Sequence, residues 1–243
     1  MSFSDRFTTR AEAYAAARPS YPPAALAALF AGLGDAGALT VADLGAGTGI
    51  SSRLLAAAGA RVFAVEPNAA MRRAAQPDPR IEWIDGTAEH TTLAPASVDL
   101  VTAFQAWHWF EPEAATAEAR RIVRPGGRLA IVYNERDERD AGTAAYGDIV
   151  RRYATDGTEG RRAGAVAHGQ GIEPSRTDRV ESLNIQRLDR EGLHARARST
   201  SYLPQSGATA EALHAELDAL FERFAAGGRM ELHLSTLTLR VAL

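Results

Sequence analysis

The stretch Val41-Ala42-Asp43-Leu44-Gly45-Ala46-Gly47-Thr48-Gly49-Ile50-Ser51-Ser52-Arg53-Leu54-Leu55 decides how this chain is read. It opens apolar and short, as a buried strand does, places glycine at every second position, and runs straight into a helix that starts near Ser51. Glycine permits positive φ at a turn and, lacking Cβ, lets a ligand lie directly on the backbone. The first helical turn adds N–H groups without intrahelical partners, which favour an anionic or hydrogen-bond-accepting ligand group. The spacing does not fit a dinucleotide, whose fingerprint is G-x-G-x-x-G: here Gly47 is followed by Gly49 and then Ile50. Asp43, two residues ahead of Gly45, would repel a pyrophosphate but suits a ligand that carries an ammonium group.

Downstream, Arg61 to Glu66 reads as a second strand with an acid at its carboxyl end. Glu66 follows Asp43 by 23 positions, near the separation of about 20 at which an acid meets ribose hydroxyls in βαβ nucleotide sites. A carboxylate there accepts from both vicinal hydroxyls, and its charge strengthens the bonds. Pro67 to Ala74 is the next helix, with Asn68 as its N-cap and Met71 near the ligand or in the core. Arg80 to Ile84 is a third strand, followed by Asp85-Gly86-Thr87-Ala88-Glu89. Ser97 to Phe104 is a fourth, in which Asp99 reads as structural. Beyond it comes Gln105-Ala106-Trp107-His108-Trp109-Phe110, at the carboxyl end of a strand that flanks the reversal of strand order, where doubly wound sheets bind ligands. His108 has three possible roles: general base, hydrogen-bond donor to a substrate, or structural residue. An ordinary histidine pKa of about 6.5 suits the first. Ala114 to Val123 is a helix, after which Arg124-Pro125-Gly126-Gly127 closes it and turns the chain into a fifth strand, Arg128 to Asn134.

The glycine run resembles motif I of the class I S-adenosylmethionine-dependent methyltransferases, and Glu66, the strand around Asp99 and the RPGG turn extend the resemblance. It implies an α/β fold: a doubly wound, seven-stranded, mostly parallel Rossmann-like sheet with an N-terminal helical arm and a C-terminal cover, its last strand antiparallel. It also implies S-adenosyl-L-methionine as cofactor, held by Asp43, Gly45, Ala46, Gly47 and Gly49. Glu66, Pro67 and Met71 would lie at the ribose and adenosine, Thr87, Ala88 and Glu89 around the adenine, and Gln105 at the fourth strand's end. Tyr14 and Arg18-Pro19-Ser20-Tyr21-Pro22 resemble a segment that folds over the cofactor in small-molecule members. Carried over, Tyr14 and Arg18 approach the methionine carboxylate and Tyr21 the acceptor; a helix-packing arm with a surface arginine is the other reading. Trp107, Trp109 and Tyr133 would wall the acceptor, and aromatic faces also attract a sulfonium. His108 is the candidate catalytic residue for a hydroxyl or carbon acid, whereas a carboxylate needs no base. Within the family the pattern resembles trans-aconitate-type and related bacterial enzymes, without fixing that substrate.

The remaining sequence sets bounds. The 243 residues carry a net charge of −3 without a basic block, so neither nucleic acid nor membrane is expected as a partner. There is no cysteine, hence no disulfide or thiolate metal site, and no metal site is expected. All 27 basic residues are arginine, which excludes lysine Schiff-base chemistry. No signal-like start or apolar run of roughly 20 residues is present, and a cytoplasmic protein is expected. The chain reads as one domain over 1–243: an arm at 1–38, a cofactor-binding core at 39–135, a cap or lid at 136–178, and the C-terminal part of the sheet at 179–243. In that last half, Tyr146, Ile149, Val150 and Tyr153 mark a helix, Val180 to Leu188 a strand, Arg190 to Arg198 and Ala208 to Ala225 helices, and Met230 to Val241 a strand. The expected function is methyl transfer to a small-molecule acceptor by a monomer or homodimer, with carboxylate and hydroxyl acceptors favoured. The alternative is a protein of the same fold that catalyses a non-methylating reaction such as cyclisation, or binds the cofactor without turnover.

Overall fold

Strands of five residues or so, rich in Val, Leu and Ala, alternate with short helices through the first half of the chain. A computed structural model describes residues 18–161, 163 and 177–243. Tyr14, and residues 162 and 164–176 of the expected lid at 136–178, lie outside the described residues. The strands are β1 (Thr40–Leu44), β2 (Arg61–Val65), β3 (Ile81–Ile84), β4 (Val98–Phe104), β5 (Val123–Arg136), β6 (Thr177–Leu188) and β7 (Met230–Ala242). The helices are α1 (Pro23–Phe30), α2 (Ile50–Ala57), α3 (Ala69–Arg73), α4 (Pro112–Ile122), α5 (Ala141–Tyr153), α6 (Arg190–Arg198) and α7 (Ala208–Phe224). Trp107–Trp109 forms a 3₁₀ turn.

The sheet order is β3-β2-β1-β4-β5-β7-β6. The pairs from β3 through β5 are parallel, and β7 runs antiparallel between β5 and β6. Strand order therefore reverses between β1 and β4, and the loops after both strands open on that seam. Successive side chains of a strand face opposite sides. Ala42 and Leu44 of β1 join one core with Val101, Ala103, Leu129 and α4 residues Ala115, Ala119 and Ile122. Val41 joins the other with Val62, Leu100, Leu29 of α1 and Leu55 of α2. A third cluster lies among α5, α6, α7 and the adjoining ends of β6 and β7, including Leu193, Leu213, Leu217, Met230 and Leu232.

The Arg124-Pro125-Gly126-Gly127 run does not reverse the chain. Val123 pairs with Val98 and Arg128 with Leu100, so these four residues bulge from β5 opposite Asp99. Space, rather than turn geometry, dictates Gly127: a Cβ there would stand 2.4 Å from the Asp99 carbonyl oxygen. Asp99 is structural, as its position at a strand start suggests. It accepts from Thr40 N–H at 2.8 Å and from Arg124 at 2.7 Å. No helix among the described residues is long and apolar enough to cross a membrane.

Candidate active site

The three glycines of the β1–α2 turn all have left-handed backbones, with φ of 66°, 58° and 78° at Gly45, Gly47 and Gly49, but their surroundings differ. A Cβ on Gly45 would meet Ala106 Cβ at 2.8 Å, and one on Gly49 would meet the Trp83 ring at 3.0 Å. Around Gly47 nothing lies within 4 Å of that point. Gly45 and Ala46 N–H both donate to the Val65 carbonyl, at 2.9 and 3.1 Å, which fixes the turn on β2. Beside Gly47, the buried Thr48 hydroxyl has no hydrogen-bond partner among the described residues.

Two acids brace this turn. Asp43 is fully buried, and both its oxygens are occupied: Ser51 and Ser52 of α2 donate at 2.6 and 2.7 Å, Thr102 of β4 at 2.9 Å. Burial raises its pKa, against those three donors. Asp43, expected at the cofactor, faces α2 beneath the turn and does not itself line the cleft, whereas its partner Ser51 does. Glu66 accepts from Gly47 N–H at 3.0 Å through one oxygen and from Asn68 N–H at 2.8 Å through the other. Burial again raises the pKa, opposed by these bonds and by the Arg72 charge. A carboxylate has about four acceptor positions, so each oxygen keeps room for one more donor. Asn68 caps α3 by accepting from Ala70 N–H at 2.9 Å.

A cleft of about 1060 Å³, counting its open mouth, lies over the carboxyl ends of β1 and β4. It gathers Arg18, Tyr21, Gly45, Ala46, Gly47, Gln105, His108 and Trp109 from the residues the sequence singles out. Gln105 has φ of 54°, strained for a residue with a side chain, and is held by Val132 through its N–H (2.8 Å) and by Asn134 through its amide (3.0 Å). Gly49, Glu66, Pro67, Met71, Thr87, Ala88 and Glu89 are not in the cleft wall. Met71 and Ala88 are buried, and Glu89 accepts from Glu111 N–H at 2.9 Å.

Trp107 and Tyr133, expected beside the acceptor, do not line the cleft; both are fully buried on the α4 side of the sheet. Trp107 packs edge-on to Phe110 at 5.7 Å, because the tight turn directs it inward while His108 and Trp109 face the cleft. Tyr133 instead supports His108 from behind: its hydroxyl accepts the His108 backbone N–H at 2.9 Å and lies 3.1 Å from Nδ1. The far wall of the cleft contains residues that sequence reading did not single out as site residues: Arg136, Thr158, Arg196, Thr200 and Tyr202. They converge only through the packing of α5 and α6 against the sheet, and no local motif marks them.

Residues 42–131 match a family described as a methyltransferase domain. The chain is similar to an uncharacterised methyltransferase of Mycobacterium tuberculosis, 44% identical over 149 residues, 60% of this chain and 59% of the relative. The match thus spans about three fifths of that relative's length. Among solved structures, a protein described as a type II methyltransferase from Anaeromyxobacter dehalogenans superposes with a TM-score of 0.62 at 24% identity, covering 92% of this chain and 96% of that one. A methyltransferase from an antibiotic biosynthesis pathway of Anabaena variabilis gives 0.59 at 22% identity, over 84% and 91%. These two likenesses concern the fold. The domain match runs from β1 into β5, the part of the sheet that carries the glycine turn and the strand-order reversal, so it is this cofactor-side half of the sheet that is similar to a methyltransferase domain.

Proposed function

We propose that the chain transfers the methyl group of S-adenosylmethionine to a small-molecule acceptor bound in the same cleft. The observation that carries this reading is Gly47: a left-handed glycine with nothing within 4 Å of its Cβ position, lining the cleft at the reversal point. The partnerless Thr48 hydroxyl and the spare acceptor positions of Glu66 suit the same cofactor, with Gly47 and Thr48 toward its methionine end and Glu66 toward its ribose hydroxyls. When bound, the cofactor supplies an electrophilic methyl on a sulfonium.

The chain's own residues then have three tasks. Gln105, Tyr21 and Phe104, the last two in edge contact at 4.7 Å, shape the wall that aligns the acceptor for in-line attack. Trp109, with its ring 4.6 Å from that of His108, narrows the cleft and excludes water. His108, oriented by Tyr133, takes the proton of a hydroxyl acceptor when its neutral ring carries hydrogen on Nδ1, and donates to the acceptor in the other tautomer. The test is calorimetric titration with S-adenosylhomocysteine and with NAD, followed by labelled-methyl transfer to a metabolite extract. Binding of S-adenosylhomocysteine alone, with transfer of label, is expected. Preference for NAD would overturn the reading, and binding without transfer would make the chain a cofactor-binding protein.

A further inference from the structure

The cleft wall includes three arginines, Arg18, Arg136 and Arg196, and among its described lining residues there is no aspartate or glutamate. Their situations differ. Arg136 is ion-paired with Glu159 and, at 3.5 Å, with Glu138. Arg18 comes from the segment beside the glycine turn and donates to the Ser199 carbonyl at 3.3 Å. Arg196 reaches the same cleft from α6, and its guanidinium makes no hydrogen bond or ion pair with any described residue. Its Nε is buried without a partner. Desolvation by burial depresses its pKa, with the charges of Arg18 and Arg136 acting in the same direction. The Arg196 carbonyl is also pinned, by Ser199 Oγ at 2.7 Å and Thr200 Oγ1 at 3.2 Å, so the residue sits on a fixed helix end.

A half-buried guanidinium whose Nε is shut off from water, with no counter-charge among the described residues, is costly to the fold, and such costs persist where a ligand removes them. The cofactor's single carboxylate is already outweighed by its own ammonium and sulfonium, so it adds no net negative charge to a cleft that holds three arginines. Resting on the proposed methyl transfer, we infer that the acceptor is an anion whose carboxylate or phosphate group docks on Arg196. A guanidinium fork matches either oxyanion through two parallel hydrogen bonds. Arg196 thereby sets which molecules enter, and the acceptor atom that receives the methyl lies elsewhere on the same molecule or on the docked group itself.

The experiment uses the full chain saturated with S-adenosylhomocysteine. Aliphatic and aromatic carboxylates, their amides of the same shape, and inorganic phosphate are titrated, with melting temperature as a second readout. Carboxylates or phosphate are expected to bind and raise the melting temperature, and the amides are not. R196M is expected to bind S-adenosylhomocysteine as the wild type does, to melt no lower, and to lose about tenfold or more in anion affinity. R196K, which keeps the charge without the fork, is expected to fall between them. Amides binding as well as carboxylates, no anion binding by the wild type, or anion binding unchanged in R196M each overturn the inference. Lower melting of R196M and R196K, with no anion effect on the wild type, would assign Arg196 to the fold instead. Failure of the wild type to bind S-adenosylhomocysteine would instead strike the methyltransferase reading.

Discussion

One carboxylate, that of Asp43, joins β1, α2 and β4 through three hydroxyls. Asp43→Ala leaves those buried donors without their acceptor and is expected to lower the unfolding free energy by about 2–3 kcal/mol in a urea titration. Asp43→Asn keeps an acceptor and removes the cost of burying charge, so it should lie much nearer the wild type. A fall in S-adenosylhomocysteine affinity in this folded variant would show that the charge itself reaches the ligand. Glu66→Ala should weaken that affinity by about tenfold through lost hydroxyl contacts, and unchanged affinity would remove Glu66 from the ribose site. Legibility at this scale followed strand parity. Tyr133 shares its side of β5 with Leu129 and Ile131, both in the α4-side core, while Asn134 takes the other side. That alternation was readable; the inward turn of Trp107 rather than Trp109 was not, because a three-residue 3₁₀ turn carries no period to read.

At the scale of elements, the glycine turn separates fold from ligand. Gly47→Ala carries about 1 kcal/mol of left-handed strain but meets no protein atom, so it should fold and lose cofactor affinity. Gly45→Ala drives a methyl to 2.8 Å from Ala106 and should lose stability instead, which paired melting and binding measurements would show. Helix α4 is tied to the loop between β3 and β4 by Glu118, which accepts from Thr91 N–H at 2.8 Å and from Arg121 at 2.6 Å. Arg121 foremost, with Thr91, holds the Glu118 pKa down to about 2. A lowered carboxylate pKa gives stability that is present above the unfolded value, roughly 4.5, and lost as pH falls toward 2. Glu118→Gln should therefore be less stable at pH 7, by about 1–2 kcal/mol once solvent screening of the half-exposed Arg121 is allowed for, and show a flatter acid limb in denaturant titrations between those pH values. Strand and helix identities from 40 to 134 were legible because their apolar runs are bounded by Gly, Pro and Asn. The bulge at 124–127 was not, since a Pro-Gly-Gly run fits a turn as well as a bulge.

For the molecule as a whole, the charges are unevenly placed: a chain of net −3 presents only arginines and neutral groups in its described cleft wall. Composition alone averaged this away, and Arg136, Arg196 and Tyr202 meet only after the cover has packed. Another consequence of the architecture concerns β6, which ends the sheet order with no strand on its outer side among the described residues. An edge of twelve residues is a template for another chain's strand. Here it carries Asp178, Arg179, Glu181 and Arg187, with Arg179 and Glu181 paired at 2.9 Å and Arg187 reaching Glu231 at 2.8 Å, around the 64%-exposed Leu183. Charges on an edge strand disfavour its pairing with another chain's strand. Replacing Arg179, Glu181 and Arg187 together with valine is expected to leave S-adenosylhomocysteine binding intact while turning concentrated solutions turbid and thioflavin-positive.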